Sequence, residues 1–227
     1  MPPHPTPPRP AILAPLRAFA AGFVDTTGFI ALFGLFTAHV TGNLVLIGAS
    51  IAEFHDGIIA KMLALPMFII VVAAAHLYVI GQQRRNRDAA PILMLAEIVF
   101  LSAFMAAGIA GTPFLNADAP ATIATGMLAV TAMAIQNAGA RSVFATLSPT
   151  TVMTGNVTQI VIDLVDLALS PSKSADVKPR LKKMVPAVLT FTLGALGAAL
   201  AYLAIGFWCL LIPIVAIIAG LVVLRRG

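Results

Sequence analysis

The stretch TAHVTGNLVLIGAS at residues 37–50 is apolar except where Thr41-Gly42-Asn43 interrupts it. The same triplet returns in the second half of the chain as Thr154-Gly155-Asn156, within TTVMTGNVTQIVIDL at residues 150–164. Glycine weakens the interior of a helix and lets the chain turn sharply. The two triplets therefore predict two places at which a helix is broken inside apolar surroundings.

The composition is that of a membrane protein. Of the 227 residues, 59% are hydrophobic and 10% are charged, and the mean hydropathy is +0.98. Soluble domains are closer to half apolar and a quarter charged. We expect one all-α polytopic membrane domain over residues 11–226, after a disordered proline-rich tail at residues 1–10. The net charge of +5 does not indicate nucleic-acid binding, because the basic residues follow the membrane topology.

Six apolar stretches are near the length of about 20 residues that a membrane-spanning helix needs. They lie at about 11–35, 62–81, 91–111, 120–140, 184–205 and 207–224. If the segments that carry the triplets, about 38–53 and 150–169, re-enter on one side, 13 of the 14 Lys and Arg residues are cytoplasmic, counting Arg17, and Lys61 is outside. If all eight segments cross, the split is 10 to 4. Cytoplasmic loops are enriched in Lys and Arg, so we favour six transmembrane helices with both termini cytoplasmic.

The register that superimposes the two triplets aligns more than the triplets themselves. It also pairs Thr37 with Thr150, Ser50 with Asp163, and Glu53 with Asp166. Each half, about 11–112 and about 119–225, consists of a long helix, a re-entrant or broken half-helix, and two long helices. Three crossings per half give an inverted-topology repeat (3+3), the plan of many secondary transporters. In that arrangement Asn43 and Asn156 would face each other near the membrane midplane.

Broken helices at membrane depth require surrounding protein or a water-filled cavity. The amides and the positive dipole end of a half-helix that starts at either triplet can bind an anion or a dipole. A Thr or Asn side chain of the triplet can cap that half-helix. We therefore predict a binding site for solute or ion at the two triplets. The alternative is that the triplets serve only a re-entrant turn and bind nothing.

Two longer motifs resemble a known family. They are GFVDTTGFIALFGLFTAHVTGN at residues 22–43 and AIQNAGARSVFATLSPTTVMTGN at residues 134–156. Both resemble the YoaK-like family of bacterial membrane proteins, and the likeness covers nearly the whole chain from about residue 15. The matching positions are Gly22, Asp25, the two triplets, Gln136-Asn137-Ala138 with Arg141, and Thr150-Thr151. The resemblance implies about six spans in a bacterial inner membrane and no established substrate.

A second resemblance concerns the chain before each triplet. The short apolar runs TAHV and TTVM look like the strand-then-half-helix device of nucleobase and anion exchangers. This likeness is at the level of the fold, and it implies a short strand in front of each half-helix.

Asp25 is predicted to contact the substrate or the coupling ion. A carboxylate near the middle of a span must face the bundle interior or a cavity, pair, or stay protonated. The alternative is a structural carboxylate that holds helices together. Gln136 and Asn137 are its counterparts in the second half, one residue out of register, and they keep the polarity without the charge.

Three further residues are candidates near this site. Arg141 could pair with Asp25, bind an anionic solute, or mark the end of its helix. Glu97 could be a second coupling acid or the partner of Arg141. His39 could take part in coupling because imidazole titrates near neutrality, although a lone histidine is more often a packing residue.

These features favour a secondary transporter or permease for a small polar or anionic solute, driven by protons or by the solute gradient alone. A structural or signalling subunit and an intramembrane lipid-modifying enzyme remain as alternatives; the enzyme could use only Glu97 with Arg141 or His39 with Asp25. No nucleophile elbow, Walker loop, dinucleotide fingerprint or metal-binding cluster occurs, so we predict no enzymatic activity, catalytic residue, metal or cofactor. The expected partners are the bilayer, a small-molecule solute and, through the small residues of TLGALGAAL at residues 192–200, a second copy or a neighbouring helix.

Overall fold

The computed structural model describes residues 9–53, 57–169 and 174–226, and within these ranges it has eight α-helices and no strand. The first half contains α1 (Leu13–Ala31), α2 (Gly42–Glu53), α3 (Ile58–Arg84) and α4 (Ala90–Gly111). The second half contains α5 (Pro120–Arg141), α6 (Met153–Leu169), α7 (Ser174–Ile205) and α8 (Leu211–Arg226), with a 3-10 turn at Gly206–Leu210 between the last two. Residues 1–8 of the predicted tail lie outside the described part of the chain.

The helices make the chain a multi-pass membrane protein, as predicted. Four stretches of the described chain are long and apolar enough to cross a membrane: Ile58–Arg84, Ala90–Gly111, Pro120–Arg141 and Ala175–Arg226, the last containing both α7 and α8. Large aliphatic side chains such as Leu77 and Leu203 are exposed on the outside of the bundle. A surface of this kind suits hydrocarbon, because lipid-facing helices need no polar outer face.

The helix α1 runs through the interior of the bundle. Most of its side chains from Leu13 to Gly28 are buried, including Arg17 and Asp25. It packs along α7 and α8, while α5 packs along α3 and α4. Since α7 and α8 are the counterparts of α3 and α4, the first helix of each half packs on the last two helices of the other half.

A pair of glycines lets α1 and α7 approach very closely. A Cβ atom built on Gly22 of α1 would lie 2.2 Å from the carbonyl O of Phe191, and one built on Gly194 of α7 would lie 2.2 Å from the carbonyl O of Phe19. Only glycine fits at such a separation, and small residues allow helix backbones this close in membranes. Gly194, in the small-residue run at residues 192–200, therefore packs against α1 within the chain.

Contacts between loops define one end of the bundle, which we call the basic end. Arg9, just before α1, binds Asp88 in the α3–α4 loop at 2.7 Å and the carbonyl O of Val143, just after α5. Lys183 of α7 lines the same pocket as Pro15 of α1. The starts of α1, α4 and α7 and the ends of α3 and α5 therefore meet here.

The first broken segment starts and finishes at the opposite end. Lys61 Nζ, in the first turn of α3, donates a hydrogen bond of 2.8 Å to the carbonyl O of Phe33, just after α1. The backbone N–H of Ile59 donates to Asp118 in the α4–α5 loop. The second broken segment leaves α5 and returns to α7 at the basic end. Of the Lys and Arg residues in the described ranges, Lys61 is the one that lies at the opposite end.

The chain in front of each half-helix is irregular, so the expectation of a short strand there is wrong. Residues 35–40 and 147–152 form turns, bends and irregular links. A strand needs a partner whose backbone groups complete its ladder. Here the backbone amides of Thr37 and Ala38 instead donate to the side chain of Asp25.

Candidate functional site

Asp25 is the anchor of the first broken segment. Its Oδ1 accepts hydrogen bonds of 2.7 Å from the backbone N–H groups of both Thr37 and Ala38, and its Oδ2 lies 2.6 Å from Nδ1 of His39. The carboxylate is almost completely buried. These contacts bring the chain after α1 back to the middle of α1, so that α2 starts deep inside the bundle.

The second broken segment is anchored at equivalent positions by neutral groups. Gln136 Nε2 donates to Thr150 Oγ1 at 2.9 Å, and Thr151 Oγ1 donates to Asn137 Oδ1 at 2.6 Å. Thr150 and Thr151 are the counterparts of Thr37 and Ala38 in the register that superimposes the triplets. Both halves therefore hold their broken segment against their first helix, and only the first half uses an ionisable pair to do so.

The asparagines of the two triplets act as clamps within their own segments. Asn43 donates 2.8 Å from Nδ2 to the carbonyl O of Phe36 and accepts from the Phe36 N–H at 2.9 Å. Asn156 Nδ2 donates to the carbonyl O of Pro149 at 2.8 Å. Both side chains are buried. Their amides are thus directed at the turn that precedes each half-helix, in the two halves alike.

A cavity of about 330 Å³ lies between the two broken segments. Its walls are formed by residues 38–41 and 151–154, by Leu65 and Phe68 of α3, and by Asn137 of α5. A threonine of each triplet, Thr41 and Thr154, lines it. The two broken segments meet here through these threonines and the irregular chain before each half-helix, whereas neither Asn43 nor Asn156, which were expected to face each other, belongs to the lining.

His39 connects Asp25 to this cavity. The side chain of His39 is 37% exposed, whereas that of Asp25 is 7% exposed. His39 lines the cavity, and it is the one ionisable side chain among the described lining residues. Its ring also packs edge-on against Phe191 of α7, with centroids 5.5 Å apart. A change of protonation at this pair would therefore alter the charge in the cavity and the packing of His39 against α7.

Several predicted site residues lie outside the cavity lining. Gln136 is buried behind Thr150, and Arg141 is exposed at the end of α5. Gly42 and Gly155 shape the backbone: a Cβ on Gly42 would lie 2.9 Å from the Phe36 ring, whereas one on Gly155 would meet only Val152 at 3.8 Å. Glycine is therefore required more strictly in the first triplet than in the second.

The start of α2 offers few free amides to an anion. The N–H groups of Gly42, Asn43 and Leu44 donate to the carbonyl O atoms of the turn before them, at residues 39–41. A helix N-terminus binds anions through N–H groups that lack a partner. The prediction of an amide-based anion site at this triplet is therefore not supported by its local hydrogen bonding.

Glu97 lies against Arg17, and the proposed partnership with Arg141 is wrong. Arg17 Nη1 is 3.1 Å from Glu97 Oε2, and both side chains are fully buried. The guanidinium also lies 4.5 Å from the centroid of the Phe144 ring. Gln136 joins this group, since its Nε2 donates to the carbonyl O of Arg17 at 2.8 Å. The ion pair connects α1, α4 and the end of α5 inside the bundle.

Arg17 is the residue that sequence reasoning missed. Because Arg17 lies near the start of α1, the sequence suggests a basic residue at the cytoplasmic end of the span and not a buried one. The available signal was position: Arg17 and Glu97 each lie one or two turns inside helices that start at the same end. A buried charge in a membrane helix needs a partner, and these two meet that need for each other.

The donor set of the cavity contains hydroxyl groups, one amide and one imidazole. In the described ranges, no group of three or more His, Cys, Asp and Glu side chains is close enough to hold a metal ion. The chemistry available is hydrogen bonding and the transfer of a proton at His39.

Comparison with known proteins agrees with the family resemblance of the motifs. The model of a family described as "Protein of unknown function (DUF1275)" matches residues 13–223. The chain is 28% identical over 207 residues to the UPF0700 transmembrane protein YoaK of Bacillus subtilis (strain 168), covering 90% of this chain and 89% of the relative. No solved structure matches. The relative YoaK is likewise described as a transmembrane protein. Because the family model spans nearly the whole helical bundle, the protein belongs to the DUF1275 family.

Proposed function

We propose that the protein is a secondary transporter or permease whose solute site is the cavity between the two broken segments. One observation carries the proposal: a cavity of about 330 Å³ whose lining includes the corresponding segments of both sequence halves. Its volume falls at the lower end of the range of about 300–1,000 Å³ typical of small-molecule sites. Secondary transporters commonly bind solute where discontinuous helices of two repeats meet.

The proposed topology has six transmembrane helices, with α2 and α6 as re-entrant half-helices of an inverted 3+3 repeat. Its support is the contact between Lys61 and Phe33, which brings the ends of the first broken segment together, and the return of the second segment at the basic end. With the basic end facing the cytoplasm, the arrangement follows the positive-inside rule. We place the protein in the bacterial inner membrane with both termini cytoplasmic.

The proposed solute is small, polar and uncharged. Its partners would be the hydroxyl groups of Thr41, Thr151 and Thr154, the amide of Asn137 and the imidazole of His39. No Lys or Arg belongs to the described lining, and the first amides of α2 are already bonded. These observations favour a polar, uncharged solute over an anionic one. Arg141 lies outside the proposed site.

The proposed coupling device is the His39–Asp25 pair. A proton taken up by His39 from the cavity would be stabilised by the carboxylate 2.6 Å away. Loss of that proton would weaken the contact that holds residues 37–39 against α1, and so would link protonation to the position of the broken segment. No covalent chemistry is part of this scheme, and we propose that the protein is not an enzyme.

The binding test is a thermal-shift screen of the purified protein against uncharged metabolites, followed by uptake of any hit into proteoliposomes. Thr41→Val and Thr154→Val remove one hydroxyl each from the cavity, and we expect each to weaken binding about tenfold, the loss of roughly one hydrogen bond. Thr192→Val is the matched control, because Thr192 is exposed on α7 and bonds only to the carbonyl O of Val188. Equal binding by all three variants would exclude this cavity as the site.

The structural-subunit alternative is favoured by one observation, the complete hydrogen bonding of Asp25. In that alternative, the carboxylate serves solely to hold residues 37–39 against α1. The two functions differ in their response to pH. In His39→Gln, a transporter coupled through the pair loses the pH dependence of uptake between about pH 5 and 8, where imidazole ordinarily titrates, whereas a structural subunit transports nothing in either form.

A further inference from the structure

A second and larger cavity lies at the basic end, away from the proposed solute site. It has a volume of about 800 Å³ and opens between the start of α1, the loop after α5 and the start of α7. The residues that carry its chemistry are Arg9, Ser148, Lys182 and Lys183. The rest of its wall is mainly apolar, with Ile12, Leu147 and Pro186 among the lining side chains.

The charge of this cavity is positive. Lys182 and Lys183 are both exposed, and no Asp or Glu belongs to the described lining. Arg9 is already neutralised by Asp88, to which both of its terminal nitrogens donate, at 2.8 and 2.7 Å. The two lysines therefore supply the charge that an incoming anion would meet.

One buried hydroxyl in the cavity has no partner. Ser148 is 6% exposed, and its Oγ makes no hydrogen bond to any described residue. A buried hydroxyl without a partner costs about 1–3 kcal/mol, so such groups normally serve a ligand or an ordered solvent molecule. Ser148 lines the cavity, but its Oγ is covered by protein atoms, so this hydroxyl would reach a ligand oxygen after rotation of the side chain about its Cα–Cβ bond.

A row of exposed apolar side chains continues from the cavity along the outer face of α7. Leu189, Leu193 and Leu200 are exposed, and they lie further along the same helix than Lys182. At about 3.6 residues per turn, they follow that lysine by about two, three and five whole turns, so all share one face of the helix with it. If a ligand placed a charged headgroup in the cavity, its apolar chains could therefore pack along these leucines.

We propose that this cavity binds the headgroup of an anionic phospholipid, with the phosphate between the two lysines and Ser148 and an acyl chain along the leucines of α7. Basic pockets between transmembrane helices are known to bind anionic headgroups. The exposed leucine stripe favours a lipid over a free anion, which would leave it unused. The proposal is independent of transport, since none of these residues lines the solute cavity.

The test uses the full-length protein purified in a neutral detergent, with phosphatidylglycerol and phosphatidylcholine of identical acyl chains as probes. We expect phosphatidylglycerol to raise the unfolding temperature more than phosphatidylcholine. The double variant Lys182→Gln, Lys183→Gln should weaken the affinity for phosphatidylglycerol about 30-fold, from the usual contribution of a lysine near an anionic surface. Ser148→Ala should weaken it about tenfold or less.

The matched control is Arg84→Gln, Arg85→Gln, which removes two exposed cations from the same end but outside the cavity. It should keep the full response to phosphatidylglycerol. Equal losses in the two double variants would mean general surface attraction and would overturn the proposal. So would a shift of the same size from inorganic phosphate, abolished by the lysine variant, because the occupant would then be a free anion. Monodispersity of each variant by gel filtration separates lost binding from lost folding.

Discussion

At the scale of single residues, Asp25 decides whether the first broken segment stays folded back. Asp25→Asn keeps an oxygen for the amides of Thr37 and Ala38 but loses the charge and one acceptor. We expect it to fold with a loss of about 1.5–3 kcal/mol, the usual range for hydrogen bonds to a charged group. Asp25→Leu leaves both amides unpaired in the bundle interior and should fail to fold.

Thermal unfolding in detergent compares Asp25→Asn with the parent protein, and gel filtration checks that Asp25→Leu yields no monodisperse species. The Asn variant should also lose any pH response of solute binding, because His39 then lacks its counter-ion. An unchanged pH response in Asp25→Asn would exclude the coupling role and leave Asp25 as a structural residue.

The contact between Arg9 and Asp88 predicts a pH effect at the basic end. Hydrogen bonds from Arg9 hold the pKa of Asp88 below its ordinary value of 3.8. A lowered pKa in the folded state means that the contact stabilises the protein fully above the ordinary value and that this contribution is lost as the pH falls through the folded value. Asp88→Asn should therefore be less stable than the parent at pH 6 and equal to it at strongly acidic pH.

The pH dependence of thermal unfolding checks this expectation. Asp176→Asn is the control, because it removes an exposed carboxylate from the first turn of α7, where no contact with Arg9 occurs. A difference between Asp88→Asn and the parent that stayed constant from pH 3 to pH 6 would contradict the assigned ion pair.

At the scale of elements, the two triplet clamps differ by one hydrogen bond to the backbone, since the second contact of Asn156 is a weak one to the sulfur of Met153 at 3.8 Å. Asn43 both donates to and accepts from the backbone of Phe36, whereas Asn156 faces Pro149, which has no N–H to donate. Asn43→Ala should therefore destabilise the protein by about 1 kcal/mol more than Asn156→Ala, the net contribution of one hydrogen bond. Chemical denaturation in mixed micelles measures the difference, and a greater loss in Asn156→Ala would refute the clamp assignment.

The crossing of α1 and α7 predicts a second contrast. Gly22→Ala would bring its new methyl group against the Phe191 carbonyl O, and we expect a loss of about 1–3 kcal/mol from overpacking. Gly197→Ala lies in the same small-residue run, but its nearest neighbour is a ring carbon of Phe23 at 4.0 Å. That variant should be neutral or slightly stabilising, because alanine is the better helix former. Comparable losses of stability in Gly22→Ala and Gly197→Ala would mean that the close contact between α1 and α7 is not at Gly22.

The elements could be predicted from the sequence much better than their contacts. Apolar length defined the long helices, and the triplets located the half-helices: α2 begins at Gly42 and α6 at Met153. The hydrogen bonds from Thr37 and Ala38 to Asp25 could not be foreseen, because they exist only after the chain folds back along α1. Arg17 and Glu97 belong to different helices far apart in the sequence and form no periodic pattern, so their similar depth in the two helices hints at the pairing and the packed bundle establishes it.

At the scale of the whole molecule, the proposed six-span topology predicts the side from which each loop is accessible. In a variant with Cys209→Ser, single cysteines at Arg85 and Lys178 should react with a membrane-impermeant reagent from the cytoplasm, and one at Asn116 from outside. Cys209 itself is buried, so its removal eliminates only background. Labelling of Arg85 and Lys178 positions from opposite sides would mean that the broken segments cross and that the repeat is not inverted.

The buried pair between Arg17 and Glu97 has a consequence for biosynthesis. The first helix carries Arg17 and Asp25 and is not among the four stretches apolar enough to cross a membrane by themselves. A charge near the centre of an isolated helix, the position of Asp25 rather than of Arg17, opposes insertion by about 2.5–3.5 kcal/mol. Glu97, the neutralising partner of Arg17, emerges from the ribosome only after α2 and α3 have been synthesised. We therefore expect the nascent first helix to enter the bilayer fully only once α4 supplies Glu97, so that the order of insertion would differ from the order of synthesis.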